Sequence, residues 1–254
     1  MIRFDHVSKS FGEKIVLDDV SFEIAKGEVF CLLGPSGTGK SVSLKHMIRL
    51  MTPTTGSVWI GDMCVSSAES SELSKIRSRF GYLFQSSALL AWINVFENVA
   101  LPLRENTKLA ENEIRDRVCE ALEKVGLGKE GDAFPADLSG GMRKRAGLAR
   151  AIVTEPEILL YDEPTSGLDP VTARMIDQLI VDLNNRLGTT SVVVTHDLHS
   201  ALSISDRIAM LSGGKVVDIK PPAEFIRSEL PIIKSFLDAQ YITRRGSWEK
   251  EKAL

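Results

Sequence analysis

The clearest indication of the fold comes from the segment "EVFCLLGPSGTGKS", residues 28–41. Its first half is apolar throughout, which is typical of a central parallel strand covered on both faces. Its second half, Gly34 to Ser41, matches the pattern G-x-x-x-x-G-K-[ST] completely. Apolar residues then recur at roughly helical spacing up to Met51. The segment therefore predicts a strand, a glycine-rich loop and a helix in direct succession.

This loop, called here the phosphate-binding loop, has the composition of an anion site. Its glycines let successive backbone N–H groups turn towards one anion, and the start of the following helix adds positive potential. We expect Lys40 to reach the β- and γ-phosphates of a nucleotide and the Ser41 hydroxyl to ligate Mg²⁺. The predicted nucleotide-binding residues of the loop are Gly34, Pro35, Ser36, Gly37, Thr38, Gly39, Lys40 and Ser41.

A second apolar segment, "EILLYDE" at residues 157–163, ends in two carboxylates. Asp162 follows the apolar run directly, where a carboxylate would hold the Mg²⁺ shell. Glu163 comes next, where a base would orient or deprotonate an attacking water. Taken alone, the pair fits a solvated acidic strand end equally well. Beside a phosphate-binding loop, it predicts phosphoryl-transfer chemistry.

Strands and helices alternate along much of the chain, which indicates a mostly parallel sheet covered on both faces. Residues 2–7 and 20–25 alternate apolar with polar side chains, as half-buried strands do. Residues 110–126 carry apolar side chains along one helical face and end at a glycine. Asp169, followed by proline, is the predicted N-cap of another helix. Residues 86–153 contain little strand signal and predict an inserted helical subdomain.

Composition narrows the functional class. The 254 residues are 43% apolar and 26% charged, as in an ordinary globular protein, and the net charge of -3 argues against nucleic acid as a partner. Three widely spaced cysteines form no CxxC pair, and Cys31 lies in an apolar run, so it is expected to be buried. No signal peptide or apolar run of roughly 18 residues is found, so work at a membrane would need a membrane partner.

Residues 138–142, "LSGGM", form a second glycine turn that opens an amphipathic helix and is called here the signature turn. Ser139 and the backbone of Gly140 and Gly141 fit a second anion site. An ordinary helix cap fits the same pattern. The turn lies far along the chain from the phosphate-binding loop, so one bound nucleotide does not account for both.

Taken in order, "GPSGTGKS", "FQSS", "LSGG", "LLYDEPTSGLD" and "VVVTHD" resemble the nucleotide-binding subunit of an ATP-binding cassette (ABC) transporter. The resemblance implies an α/β fold: a P-loop NTPase (RecA-like) core with a mostly parallel sheet, an N-terminal antiparallel β portion and an inserted helical subdomain. It implies an ABC ATPase domain over residues 1–220, with the helical subdomain at about 86–153, and a C-terminal helical extension and tail over residues 221–254.

The resemblance also implies an assembly. Such subunits close as head-to-tail dimers, with each ATP between the phosphate-binding loop of one copy and the signature turn of the other. The two glycine turns would then serve different nucleotides. The implied cofactors are ATP and Mg²⁺, and the implied partners are a second copy, integral membrane permease subunits and lipid-binding accessory subunits. The implied location is the cytoplasmic face of the inner membrane.

Residue roles follow from the same resemblance. Phe11 matches an aromatic residue that stacks on adenine, where the family more often has tyrosine. Gln85 matches a glutamine that contacts the metal and the water, and Asp169 lies in a loop that crosses the dimer interface. His196 matches a histidine that contacts the γ-phosphate. The implied catalytic residues are Glu163, His196 and Gln85, and the implied metal ligands are Ser41, Gln85 and Asp162.

Met142 stands where the family commonly has glutamine and cannot donate the hydrogen bonds of that side chain. With "NVFENVALPLRE" at residues 94–105, it resembles the ATPases of bacterial Mla/Mce-type lipid transporters. The alternatives are the ATPase of a small polar solute importer, a soluble ABC ATPase of DNA repair or translation, and a P-loop kinase. The kinase leaves "LSGG" and "SGLD" unexplained, and the soluble ATPases usually carry longer insertions or two cassettes.

Two surfaces remain open to alternative interpretations. Residues 86–97, called here the docking segment, are apolar: Leu89, Leu90, Trp92 and Phe96 either line a groove for the permease or pack within the helical subdomain. A short amphipathic helix is predicted after Pro231. The residues from Tyr241 to the end of the sequence, which include Ile242 and Trp248, form either a frayed tail or a contact with the partner subunit. His199 is expected on the surface of a helix rather than at a metal.

Overall fold

The computed structural model describes residues 1–240. Its strands are β1 (Ile2–Phe11), β2 (Lys14–Ile24), β3 (Val29–Leu33), β4 (Thr55–Ile60), β5 (Met63–Cys64), β6 (Phe80–Leu83), β7 (Ile158–Asp162), β8 (Thr190–Thr195), β9 (Arg207–Ser212) and β10 (Lys215–Lys220). Its α-helices are α1 (Lys40–Met47), α2 (Ser70–Arg77), α3 (Val95–Asn106), α4 (Glu111–Lys124), α5 (Gly140–Ile152), α6 (Pro170–Leu187), α7 (Leu198–Ile204), α8 (Pro222–Phe225) and α9 (Pro231–Gln240).

The central sheet has the strand order β10-β9-β3-β8-β7-β6. Its neighbours pair in parallel from β9 to β6, and β10 runs antiparallel to β9. Strands β3, β7 and β8 are buried along their whole length. The apolar sequences of β3 and β7 predict this for a strand covered on both faces. The mostly parallel sheet inferred from the sequence is confirmed.

A second sheet, with the order β2-β1-β4-β5, is antiparallel throughout. Stacked aromatic rings join it to the central sheet: Phe4 lies 4.4 Å from Phe22 between ring centroids, and Phe22 lies 5.4 Å from Phe30 on β3. Leu44 and Met47 of α1 belong to the same apolar cluster. The helix after the phosphate-binding loop is therefore packed between the two sheets, which fixes the loop on both sides.

Helices α3, α4 and α5 pack against one another around a separate apolar cluster that includes Val99, Val118 and Leu148. The apolar face predicted for residues 110–126 is the buried face of α4. Asp169 caps α6 as predicted, accepting hydrogen bonds from the N–H groups of Val171 and Thr172 at 3.0 Å each. The α/β fold class is confirmed, and the exact domain boundaries stay a prediction.

The C-terminal helices cover one face of the central sheet. Phe225, Ile233 and Leu237 pack against Cys31 and Leu33 of β3, so the predicted helix after Pro231 is present as α9 and Cys31 is buried. Burial raises the pKa of the Cys31 thiol. The predictions for Tyr241, Ile242 and Trp248 lie outside the described residues. None of the helices within residues 1–240 combines the length and apolarity needed to cross a bilayer.

His46 on α1 makes the stability of the fold depend on pH. Only 1% of its surface is exposed, and burial, with the nearby charge of Lys9, lowers its pKa from 6.5 to about 4. The unfolded chain therefore binds a proton more readily than the folded one, and stability is lost as the pH falls from about 6.5 towards 4. Below pH 4, the free energy of unfolding is lower by on the order of 3 kcal/mol than it is at neutral pH, as far as His46 is concerned.

We expect His46→Leu to remove the pH-dependent contribution of His46 to the free energy of unfolding. Urea unfolding of wild type and variant across pH 4–7 checks it, because the difference between the two free energies of unfolding should change with pH in favour of the variant as the pH falls. Curves that stay parallel over this range would contradict the assignment to His46. The other titrating groups contribute equally to the free energies of unfolding of both proteins, so their contributions cancel in the difference.

Candidate functional site

Four loops meet at the carboxyl edge of the central sheet. The phosphate-binding loop follows β3, Gln85 follows β6, Glu163 follows β7 and His196 follows β8. Because these strands run parallel, their carboxyl ends lie at one edge. The structure therefore brings together the residues that the sequence predicts for phosphate and water.

The phosphate-binding loop needs its glycines. A Cβ on Gly34 would lie 2.2 Å from the carbonyl oxygen of Leu211, and Gly39 has φ 101° with Val16 O at 2.8 Å from the Cβ position. Lys40 donates from Nζ to the carbonyl oxygens of Gly34 and Pro35 at 2.8 and 2.9 Å. Burial lowers the pKa of Lys40, and the charge of Glu163, 3.8 Å away, opposes this.

Two oxygen ligands of the kind Mg²⁺ prefers lie side by side at this edge. The Ser41 hydroxyl donates to Asp162 Oδ1 at 2.6 Å, and the Tyr82 hydroxyl donates to Asp162 Oδ2 at 3.2 Å. Burial, together with the charge of Asp162, raises the pKa of Tyr82, so it stays a neutral donor. Tyr82 is not predicted from the sequence, because it lies just before the "FQSS" motif at residues 84–87 and contacts Asp162, 80 positions further along the chain.

Glu163 and His196 form a hydrogen-bonded pair at this edge. His196 Nδ1 lies 2.8 Å from Glu163 Oε2. Glu163 has φ 49°, an uncommon conformation for this residue type, and its N–H donates to Val194 O at 2.9 Å. Its side chain is buried, whereas His196 is 48% exposed. The carboxylate is thus held inside the site, and the imidazole connects it to the surface.

An open pocket of about 260 Å³ lies on the phosphate-binding loop. It is lined by Val16, Ser36, Gly37, Gly39, Lys40, Ser41, Val42, Gln85 and Glu163. The pocket does not include the signature turn or Phe11. Phe11 stands at the exposed end of β1, with Lys9 Nζ 5.1 Å from its ring centroid.

The signature turn is a helix cap at the start of α5. Ser139 is the N-cap, and its hydroxyl accepts from the N–H of Met142 at 3.2 Å. Gly140 and Gly141 form the first positions of the helix. The helix-cap interpretation and the anion-site interpretation therefore describe the same geometry, because an N-capped first turn is also where anions bind.

The remaining predicted residues are placed as follows. The Asp169 carboxylate is used in capping α6, and the hydrogen bonds, first that from the Thr172 side chain, hold its pKa below the ordinary value. Trp92 is 74% exposed, whereas Leu89 and Phe96 pack against the helical cluster. His199 is exposed on α7, and no cluster of three potential His, Cys, Asp or Glu metal ligands occurs in the described part of the chain.

Comparison with known proteins agrees with this geometry. A family model described as "ABC transporter" matches residues 17–166. The probable ribonucleotide transport ATP-binding protein mkl of Mycobacterium leprae is 45% identical, over 96% of this chain and 71% of its own length. The methionine import ATP-binding protein MetN of Cereibacter sphaeroides is 40% identical, over 93% of this chain and 68% of its own.

Solved structures give the same result. The dimeric post-hydrolysis structure of the ATP-binding cassette MJ0796 with ADP and Pi is 36% identical, with a TM-score of 0.80, over 87% of this chain and 99% of that chain. The structure of cbiO1 from Clostridium perfringens, part of the transporter complex cbiONQ, is 29% identical, with a TM-score of 0.82. The match covers 93% of this chain and 94% of that chain. The chain therefore belongs to the ABC transporter family and is an ATP-binding, ATP-hydrolysing subunit of that family.

Proposed function

We propose that this chain is the motor of a lipid transporter: two copies hydrolyse ATP with Mg²⁺ at shared sites and drive a membrane permease that moves a phospholipid or another hydrophobic molecule. The observation that carries the catalytic part is the Glu163 carboxylate, which lies beside His196 at 2.8 Å and Lys40 at 3.8 Å on a phosphate-binding loop. The substrate part rests on the resemblance of "LSGGM" and residues 94–105 to Mla/Mce-type ATPases.

Each step of hydrolysis can be assigned to particular residues of the site. Backbone N–H groups of the phosphate-binding loop and Lys40 bind the β- and γ-phosphates and offset the charge that develops on them. Ser41, Asp162 and Gln85 are the residues that would hold Mg²⁺, which supplies charge neutralisation on the phosphate oxygens. Glu163 accepts the proton of the attacking water or orients it, and His196 holds the Glu163 carboxylate in place.

The shared-site arrangement follows from the position of the signature turn. It lies outside the pocket on the phosphate-binding loop of its own chain, and it offers the N-terminus of a 13-residue helix to an anion. A second copy that closes head-to-tail would present Ser139, Gly140 and Gly141 to the nucleotide of the first. Solved relatives of this fold include a dimer, which supports the arrangement.

The second candidate is the motor of an importer for a small polar solute. The names of the relatives favour it, since they refer to ribonucleotide transport and methionine import. The residues around the phosphate-binding loop serve either function, because they bind ATP and do not contact the cargo. The two candidate functions would involve different permeases, because the permease selects the cargo. In either case the docking segment would make the contact with the permease. We place this contact at the cytoplasmic face of the inner membrane.

We expect Glu163→Gln to lower ATP hydrolysis by on the order of 100-fold or more while ATP binding is retained, because the base is lost and the pocket is not. The colorimetric release of phosphate measures the first quantity, and fluorescent-nucleotide titration measures the second. If hydrolysis by Glu163→Gln stays within twofold of wild type, Glu163 is not the base.

We expect Ser139→Arg to be inactive by itself and to regain activity when mixed with Glu163→Gln. In the mixed dimer one site combines an intact Glu163 with an intact signature turn, so about a quarter of wild-type activity should return if chains mix freely and sites are independent. Full activity of Ser139→Arg alone, or no recovery on mixing, would refute the shared site.

We expect Trp92→Ala to lower the membrane-bound fraction several-fold without changing the ATPase activity of the purified chain, because the exposed indole would be lost from the docking surface. Cell fractionation by ultracentrifugation measures the bound fraction. Leu50→Ala is the matched control, since Leu50 is also exposed, at 53%, but lies outside the docking segment.

If the membrane-bound fraction of Trp92→Ala equals that of wild type, the proposal that Trp92 lies on a docking surface is wrong.

Lipid analysis of the complex purified from detergent-solubilised membranes separates the two candidate cargoes. The lipid proposal requires one lipid class to be enriched over the bulk membrane in a substrate-binding subunit of the complex. A complex that enriches no lipid and whose ATPase responds to a polar solute would favour the importer.

A further inference from the structure

One lysine connects the helix of the signature turn to the catalytic edge of the same chain. Lys144 lies on α5, and its Nζ donates to the carbonyl oxygen of Gln85 at 2.6 Å and to that of Glu163 at 2.9 Å. The residue is 5% exposed. Its ammonium group is thus shared between two loops, each of which carries a residue proposed for hydrolysis.

Burying this ammonium is costly, and packing alone does not require it. Burial lowers the pKa of Lys144, and the charges of Glu163 and Asp162 oppose that effect. The apolar contacts of α5 are made by other residues, including Leu148. A side chain of the same length without charge would fill the space, so the ammonium serves the two carbonyl groups rather than the core.

The remainder of α5 attaches to the same loop. Arg150 donates from its guanidinium to the carbonyl oxygens of Ser87 and Ala88 at 2.7 Å each. Ser87 and Ala88 have φ of 62° and 47°, so this stretch of backbone needs partners to hold it. A Cβ on Gly147 would lie 2.9 Å from Leu83 and 3.1 Å from Ser87. The helix and the loop after β6 are therefore in tight contact, and Lys144 extends that contact to Glu163.

Glu163 depends on its backbone for the direction of its side chain. Its left-handed conformation is held at the N–H by Val194 O and at the carbonyl oxygen by Lys144 Nζ. The same carbonyl oxygen also accepts a hydrogen bond from the N–H of Ser166 at 3.2 Å. Loss of the Lys144 contact removes the shorter of these two hydrogen bonds, and we expect this to let the Glu163 carboxylate shift relative to His196. Small displacements of a catalytic group are sufficient to slow a reaction by about 100-fold.

We propose that Lys144 is a positioning residue that couples the signature turn to hydrolysis in its own chain. Ser139 and Lys144 are five positions apart on one helix, roughly 7.5 Å along its axis, so the helix end that meets the partner's nucleotide and the ammonium that holds Glu163 move together. When α5 is seated, Gln85 and Glu163 are held in place for hydrolysis. The coupling between two nucleotides rests on the shared-site arrangement proposed above, whereas the positioning of Glu163 does not.

The test compares Lys144→Met, Lys144→Arg and Arg145→Gln. Arg145 is the matched control: it lies on the same helix and donates to the carbonyl oxygens of Val125 and Gly126, at the end of α4 and away from the nucleotide. We expect Lys144→Met to lower kcat between about 10-fold and 100-fold with the KM for ATP within about threefold of wild type, because binding does not use Glu163. Lys144→Arg, which keeps donors and charge, should recover part of kcat, and Arg145→Gln should match wild type.

A kcat for Lys144→Met within twofold of Arg145→Gln would overturn the proposal, as would a proportional rise in KM with kcat unchanged. Thermal melting confirms that the compared variants are folded. If Lys144→Met is not folded, Lys144→Gln, with a shorter neutral donor, replaces it and should show the same selective loss of kcat.

Mixed dimers test the direction of the effect. In the mixture of Ser139→Arg and Glu163→Gln, Lys144→Met placed on the Ser139→Arg chain should lower the recovered activity by about 10-fold to 100-fold, because that chain supplies the working Glu163. The same change on the Glu163→Gln chain should leave it. The reverse pattern would overturn the proposal. A mixture that recovers nothing even with Lys144 intact refutes the shared site instead, and the kcat comparison then still decides the role of Lys144.

Discussion

The parallel register of the central sheet is the constraint on which the site depends. Leu33 pairs with Thr195, Val193 with Tyr161, and Tyr161 with Leu83. The residues that follow these positions leave the sheet together at one edge, and the phosphate-binding loop, His196, Glu163 and Gln85 are all among them. Because side chains alternate between faces, a slip of one residue in any strand would turn the neighbouring carboxylate or imidazole away from the phosphate-binding loop.

The sequence predicted the parts of this arrangement that are determined locally. Glycines at positions 34 and 39 are required by close backbone approach, and Asp169 with the following proline is a complete helix start, so each is evident from a few neighbouring residues. Continuous apolar segments predicted the buried strands for the same reason. Local sequence is therefore sufficient to predict much of the fold and the motif residues of the site.

The contacts that the sequence did not predict join distant segments. Tyr82 and Asp162 are 80 positions apart, and Lys144 and Gln85 are 59 apart. Arg143, Lys144 and Arg145 look like three equivalent solvated cations in the sequence, yet of these three only Lys144 is buried in the described fold. Which of three basic residues faces the core is decided by how α5 meets β6 and β7, and no local pattern records that.

Several surrounding helices contact the backbone around Glu163 and His196. Lys144 connects it to α5. Gln240 at the end of α9 donates to the carbonyl oxygen of His196 at 3.0 Å, and Arg174 of α6 forms an ion pair with Asp197, the residue after His196, at 2.6 Å. The geometry of the Glu163–His196 pair therefore depends on the positions of three helices that belong to different parts of the chain.

In the proposed function, this attachment links ATP binding to the surface that would contact the permease. The segment that starts at Gln85 in the site leads directly to Trp92 on the surface. Its backbone near the site accepts hydrogen bonds from Lys144 and Arg150, and both residues lie on α5, the helix that begins at the signature turn. A nucleotide that draws α5 towards it would move the exposed end of the segment as well, since both are fixed to the same helix. In the proposed function, hydrolysis would then be coupled to movement at the surface through the same segment that contacts Lys144 and, through it, Glu163.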